Sequence, residues 1–288
     1  ATWVDPRQPQ AVTPAPIAMP APSAAALLPS RLSASACEAL RACPYRFHAL
    51  HLLRLREVDE LDVEIEKRDY GTWLHAVLMA FHEQRRQPDS AEAETARLLA
   101  VAHEQKLVHG LDDADFLPFE AGFAELAPRY IAWVHERDAH GAQWSQGELE
   151  RQTQPPEWQG IALYGRIDRI DSLRGGATEL IDYKTGSAAA LRDKLKQPLE
   201  DTQLAFYAAL MQTEAGPPMQ AMYLALGRKI EAIAHPDVEN SARTLVQGLG
   251  HDLARIRAGA GMPALGEGQV CDFCEARGLC RRDHWAST

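Results

Sequence analysis

The chain has 288 residues, 46% hydrophobic and 24% charged, with a formal net charge of −10. Such a composition is ordinary for one large or two small globular domains with a substantial core. No apolar run is long enough to span a bilayer, and the acidity argues against a protein that coats duplex nucleic acid through a diffuse positive field. Five cysteines form a poor disulfide framework for so long a chain, and they favour a reducing, cytoplasmic compartment with a metal or cluster site.

Residues 1–30 hold seven of the eighteen prolines, interspersed with alanine and serine. This is a linker composition, expected to be disordered. The prolines interrupt any signal-peptide core, and a chain opening on alanine is expected to be a fragment or a processed product. Ser35 with Glu38 has the form of a capping box and opens a helix running to about Cys43. Pro44 then starts a second helix carrying Tyr45, Phe47, Leu50, Leu52, Leu53 and Leu55.

Another helix begins at Gly71, with Trp73, Leu74, Val77, Leu78 and Phe81 on one face and His75 at its edge. Position alone makes His75 a packing residue. Residues 90–110 and 114–138 form amphipathic helices whose histidines (His103, His109, His135, His140) fall on solvated faces. Glu148 and Glu150 lie on a strand before the Trp158-Gln159-Gly160 turn.

The stretch from Gly165 to Gly186 is two strands joined by a turn at Arg174-Gly175-Gly176, where glycine supplies positive φ. Alternation puts Thr178, Leu180, Asp182 and Lys184 on one face of the second strand, and Arg166, Asp168 and Ile170 on one face of the first. A register matching those faces brings Asp168 and Asp182 together beside Lys184, a site for a hard cation. A helix follows with Gln203 and Tyr207 stacked four residues apart. Residues 219–226 and 229–234 are then strands, and 239–258 a helix. The C-terminus carries Cys271-x2-Cys274-x5-Cys280, three thiol ligands that need a fourth. Spacing alone favours zinc.

Gly-Arg-Ile-Asp-Arg-Ile-Asp (165–171) followed by Ile-Asp-Tyr-Lys-Thr-Gly (181–186) resembles the catalytic hairpin of the PD-(D/E)XK nucleases, in particular the RecB-like branch. Gly71-x-x-x-His75 resembles that family's first motif, and Gln203-x-x-x-Tyr207 its channel-lining motif. Cys43-Pro44-Tyr45-Arg46-Phe47 resembles the entry of the C-terminal nuclease domain of AddB-type helicase-nuclease subunits. The motif order is specific and covers roughly residues 33–285.

The resemblance implies an α/β fold, a central mixed sheet flanked by helices, occupying 31–288, its N- and C-terminal segments joined by a four-cysteine cluster. It implies Mg²⁺ or Mn²⁺ held by His75, Asp168, Asp182 and the Tyr183 carbonyl. Lys184 orients water, Gln203 and Tyr207 position the strand, and Glu150 is a weaker candidate at the site. It also implies a [4Fe–4S] cluster on Cys43, Cys271, Cys274 and Cys280, leaving Cys37 as a small core residue. Arg277, Arg281, Arg282, His284 and Trp285 either grip phosphate and stack a base or form a solvated end. The activity expected is an exonuclease acting on single-stranded DNA ends in double-strand-break repair, beside a helicase partner or domain. The alternatives are a catalytically silent cluster-bearing module that binds DNA or a helicase, and a zinc-stapled structural domain.

Overall fold

The computed structural model describes residues 15, 17–56, 67–111, 113–212 and 216–285. A two-residue strand, β1 (Arg31–Leu32), leads into helices α1 (Ala34–Ala42) and α2 (Pro44–Phe47), the latter continuing as one π-helical turn through Leu52. Helices α3 (Lys67–Gln84), α4 (Ala91–Val108) and α5 (Asp113–Ala139) precede the main sheet. Strands β2 (Gln143–Thr153), β3 (Ala162–Ser172) and β4 (Thr178–Lys184) come next, then helices α6 (Ala188–Lys194) and α7 (Thr202–Met211). Strands β5 (Met219–Leu226) and β6 (Ile230–Ala234) and helix α8 (Val238–Arg257) complete the core.

The six strands form one mixed sheet in the order β1-β3-β4-β5-β6, with β2 also paired to β3. The β3–β4 hairpin is antiparallel and β4–β5 parallel. The parallel pair requires a crossover, which α6 and α7 supply. Alternate residues of the central strands feed two cores. Leu180, Ala221 and Tyr223 pack with α1, α7 and α8, whereas Ile181, Tyr183, Met222 and Leu224 pack with α3, α4 and α5. The result is a helix–sheet–helix sandwich, the mixed α/β arrangement anticipated from the sequence. Among the described residues no helix is long and apolar enough to cross a membrane.

Four expectations need correcting. The proline-rich stretch is packed from Ile17 onward: Ile17 pairs with Trp285, Ser23 bridges Gly261, and Ala24 is 2% exposed in the core. Prolines lack the N–H but keep the carbonyl, so Pro20 and Pro22 accept from Ala264 and Met262. The cap of α1 is Ser33, whose hydroxyl accepts from the Ala36 N–H; Ser35 lies two residues too late, already inside the helix. Helix α3 begins at Lys67 rather than Gly71. Finally, His135 is no solvated residue, for its Nε2 lies 2.7 Å from the buried Glu94 carboxylate.

Candidate active site

The β3–β4 register pairs Ile170 with Leu180, and the same phase places Asp168 opposite Asp182. The turn is as the glycines dictate, with Gly175 and Gly176 at φ of 97° and 88°. Asp168 and Asp182 are nevertheless not on an exposed ribbon. They are 9% and 1% exposed, enclosed by α7 on one side and α3 on the other. The Tyr183 N–H donates to Asp168 Oδ2 at 2.9 Å, and Gln203 Nε2 donates to Asp182 Oδ1 at 2.6 Å. Gln203 also reaches the Tyr207 hydroxyl at 3.4 Å. Lys184 Nζ lies 2.6 Å from Asp182 Oδ2.

His75 enters from α3. Its Nδ1 is 3.5 Å from Asp168 Oδ1 and 3.4 Å from Glu148 Oε1. Glu148 is the residue the sequence reading missed. It sits in β2 at φ 47°, left-handed for a non-glycine residue, between the in-register pairs Gly147–Arg169 and Leu149–Ile167 of the β2–β3 ladder. Such a backbone costs on the order of 1–3 kcal/mol and turns the carboxylate inward. Glu150, the residue favoured from sequence, is exposed and pairs across the strands with Arg166. Gly147 was the available signal, because a glycine inside a strand marks a bulge or a close approach. A Cβ there would lie 2.6 Å from Met79 Sδ and 3.2 Å from the Asp168 carbonyl.

Donor atoms of His75, Glu148 and Asp168 lie within 4.8 Å of one another. Glu148 Oε1 and Asp182 Oδ2 are buried without an aligned hydrogen bond. Each has an ionic neighbour instead, His75 Nδ1 at 3.4 Å from Glu148 Oε1 and Lys184 Nζ at 2.6 Å from Asp182 Oδ2. The two carboxylates and one imidazole of Glu148, Asp168 and His75 make an oxygen-rich donor set that suits Mg²⁺ or Mn²⁺. Asp182 stands beside that group with its charge answered by Lys184, and the Tyr183 carbonyl remains a candidate ligand.

The electrostatics agree. Burial and then the neighbouring Asp182 carboxylate raise the Asp168 carboxyl to about 7, against the opposing pull of His75. Burial also raises Asp182, which Lys184 partly offsets. Burial would lower His75, but Glu148, Asp168 and Asp182 outweigh it and hold the imidazole above its ordinary value. Burial and the two aspartates push the Tyr207 hydroxyl up, so it stays protonated and able to donate.

Beneath the site lies a buried polar network on the opposite face of the sheet. Arg169 donates to both oxygens of Asp171 at 2.7 and 3.0 Å, and Arg137 joins Asp171 at 2.7 Å and Glu179 at 2.5 Å. Arg169 also meets the Tyr130 hydroxyl, which lies 3.0 Å from that of Tyr183. The Tyr183 ring packs edge-on against His75. The residue whose N–H holds Asp168 is thereby anchored from below.

The four expected cysteine ligands come to one place. Cys43, Cys271, Cys274 and Cys280 line a single narrow cavity of about 20 Å³ with Tyr45, Ala276 and Arg277. Their sulfurs are not gathered to the spacing of roughly 4 Å that a tetrahedral zinc imposes. Each of three thiols instead faces a backbone carbonyl: Cys43 faces Pro263, Cys271 faces Glu267 and Cys280 faces Arg277. Cys37 is fully buried, and burial pushes its thiol up to about 12. Of the C-terminal residues, Arg281 and His284 are exposed, while others make contacts within the chain. Arg277 pairs with Asp283 at 2.8 Å, and Trp285 Nε1 donates to the Cys280 carbonyl, closing the cysteine cavity.

The mixed sheet delivers two aspartates and a lysine from one hairpin, and a flanking helix adds a histidine, an arrangement whose donor atoms could hold a cation. Residues 31–281 match the model of the PD-(D/E)XK nuclease superfamily, and the chain belongs to that superfamily. An uncharacterized protein of Rickettsia bellii (strain RML369-C) is 26% identical over 164 residues, 55% of this chain. The chain covers 19% of that relative's length. Among solved structures, a protein of Eubacterium rectale named "Putative exonuclease" is 11% identical with a TM-score of 0.48, covering 90% of each chain. SSO0001 is 12% identical with a TM-score of 0.41, covering 88% of this chain and 86% of its own.

Proposed function

We propose that this chain is a Mg²⁺- or Mn²⁺-dependent deoxyribonuclease of the RecB-like branch, an exonuclease degrading single-stranded DNA ends. Its place would be the cytoplasmic processing of double-strand breaks for recombinational repair, beside a helicase subunit or domain of AddB type. The observation that carries the reading is the convergence of His75, Glu148 and Asp168 next to the Asp182–Lys184 pair.

A hard divalent cation bound by His75, Glu148 and Asp168, with Asp182 and the Tyr183 carbonyl beside them, would supply Lewis acidity toward a phosphodiester and lower the pKa of water. The protein's own part is positioning and charge. Lys184, fixed against Asp182, orients the attacking water and offsets negative charge that develops on the phosphate. Gln203 holds Asp182 in one rotamer, and the Tyr207 hydroxyl, protonated and set beside Gln203 and Asp182, is proposed to turn to a strand that enters the site. The four cysteines, sharing one cavity, are proposed to hold a [4Fe–4S] cluster that ties residue 43 to the C-terminal segment and takes no part in the chemistry.

The test is degradation of end-labelled single-stranded DNA by the purified protein with Mg²⁺ or Mn²⁺. Parent protein should release short products, and Asp182→Ala should release none while keeping its fold. Equal cleavage by the two under the same metal would remove the hairpin as the active site.

A further inference from the structure

Arg166 stands where two grooves meet. One, of about 1000 Å³, is lined by Arg68, Thr72, His75, Gln105, His109 and Glu148; the other, of about 700 Å³, by Ser33, Ser35, Tyr164, Gln203 and Tyr207. Arg166 lines both. Its side chain is 58% exposed, yet its Nε is fixed to Glu148 Oε2 at 2.7 Å. The other oxygen of that carboxylate, Oε1, faces His75 and the cation-binding group. One glutamate therefore holds both the metal side and the arginine.

We propose that Arg166 binds the phosphate of a single nucleic-acid strand at the point where it passes from one groove into the other. Glu148 sets its orientation. This rests on the nuclease reading above and names the side chain that registers the strand against the metal group. A guanidinium held by Nε keeps its two terminal amino groups as a planar fork, a geometry that matches two phosphate oxygens. Among the described residues its one polar contact is through Nε to Glu148. In a chain of net charge −10, the grip on a polyanion has to be local, and Arg166 is the cation common to both grooves. A purely structural role for the Arg166–Glu148 pair would change the melting temperature and leave the salt dependence of strand binding unmoved.

The experiment compares parent, Arg166→Met and Arg166→Lys. Binding of a fluorescein-labelled oligothymidylate is followed by anisotropy over a KCl series, in Ca²⁺ and again in EDTA. Mn²⁺ affinity without DNA is measured by calorimetry, and melting temperature by differential scanning fluorimetry. Arg166→Met should weaken strand binding about tenfold or more and flatten the slope of log K against log salt by about 0.7. Its melting temperature should stay within a few degrees of the parent. Arg166→Lys should restore the slope and only part of the affinity, because it keeps the charge and loses the fork. A parent that binds the strand and an Arg166→Met protein with the same affinity and slope would overturn the proposal. So would a variant whose Mn²⁺ affinity falls while its strand binding does not, since Arg166 would then serve Glu148 alone. A parent that binds no strand overturns the nuclease reading and this inference with it.

Discussion

Replacing Asp168 by asparagine should stabilise the metal-free protein at high pH. The Asp168 carboxyl is raised to about 7 from 3.8, by burial first and by Asp182 second. The folded state thus holds that proton more tightly than the unfolded chain. Between pH 3.8 and about 7 the folded form binds more protons, so stability falls as pH rises and the penalty is complete above about 7. The gap corresponds to about 4 kcal/mol at pH 8. Asparagine still accepts from the Tyr183 N–H but forfeits the charge assistance, about 1 kcal/mol, which leaves about 3 kcal/mol. In a chain of 288 residues that is roughly 5 °C in melting temperature. His75 acts in the same direction. Its raised value gives stability that is present below 6.5 and lost as pH rises through the folded value, and asparagine at 168 shrinks that part by removing one of its anions. Melting should be recorded in EDTA from pH 5 to pH 8, then with Mn²⁺. The parent should lose stability across that range and regain it with Mn²⁺; Asp168→Asn should lose less and regain little. A flat parent profile together with an Asp168→Asn protein no more stable at pH 8 would refute the reasoning.

Three further outcomes are expected. Glu148→Gln should lower Mn²⁺ affinity about tenfold or more by calorimetry, whereas Glu150→Gln should leave it unchanged; the reverse would restore the assignment made from sequence. Gly165→Ala should destabilise by about 1–3 kcal/mol in denaturant unfolding, because its Cβ would lie 2.9 Å from Phe206 and 3.1 Å from Leu210. Cys43→Ala should strip colour and iron from anaerobically purified protein and destabilise it, while Cys37→Ala should keep the iron and cost about 1 kcal/mol from lost core contacts. Stoichiometric zinc without iron in the parent would dismiss the cluster.

What could be read from the sequence was what local periodicity controls. Asp182 and Lys184 share a face because strands alternate, Gln203 and Tyr207 because helices repeat near four, and both pairs stand where those periods put them. Glu148 obeys neither period. Its direction is set by a left-handed backbone in the middle of β2, which no residue pattern announces. The Arg169–Asp171–Arg137 network was equally hidden, because its members lie 34 residues apart and meet only across a sheet and a helix. The proline-rich start misled for a related reason: composition foretells a segment's failure to build its own core, and Ala24 borrows one.

Helix α1 has a consequence for durability. Ser33, at its head, lines one of the two grooves, and Cys43, at its foot, lines the cysteine cavity. Nine residues at 1.5 Å each make a strut of about 14 Å, clamped along its length by the buried Ala36, Cys37, Ala39 and Leu40. A stiff strut has no slack to absorb movement at one end. An oxidant or chelator that dislodges Cys43 would tilt the groove wall in the same event, so inactivation through the thiols should be abrupt rather than graded.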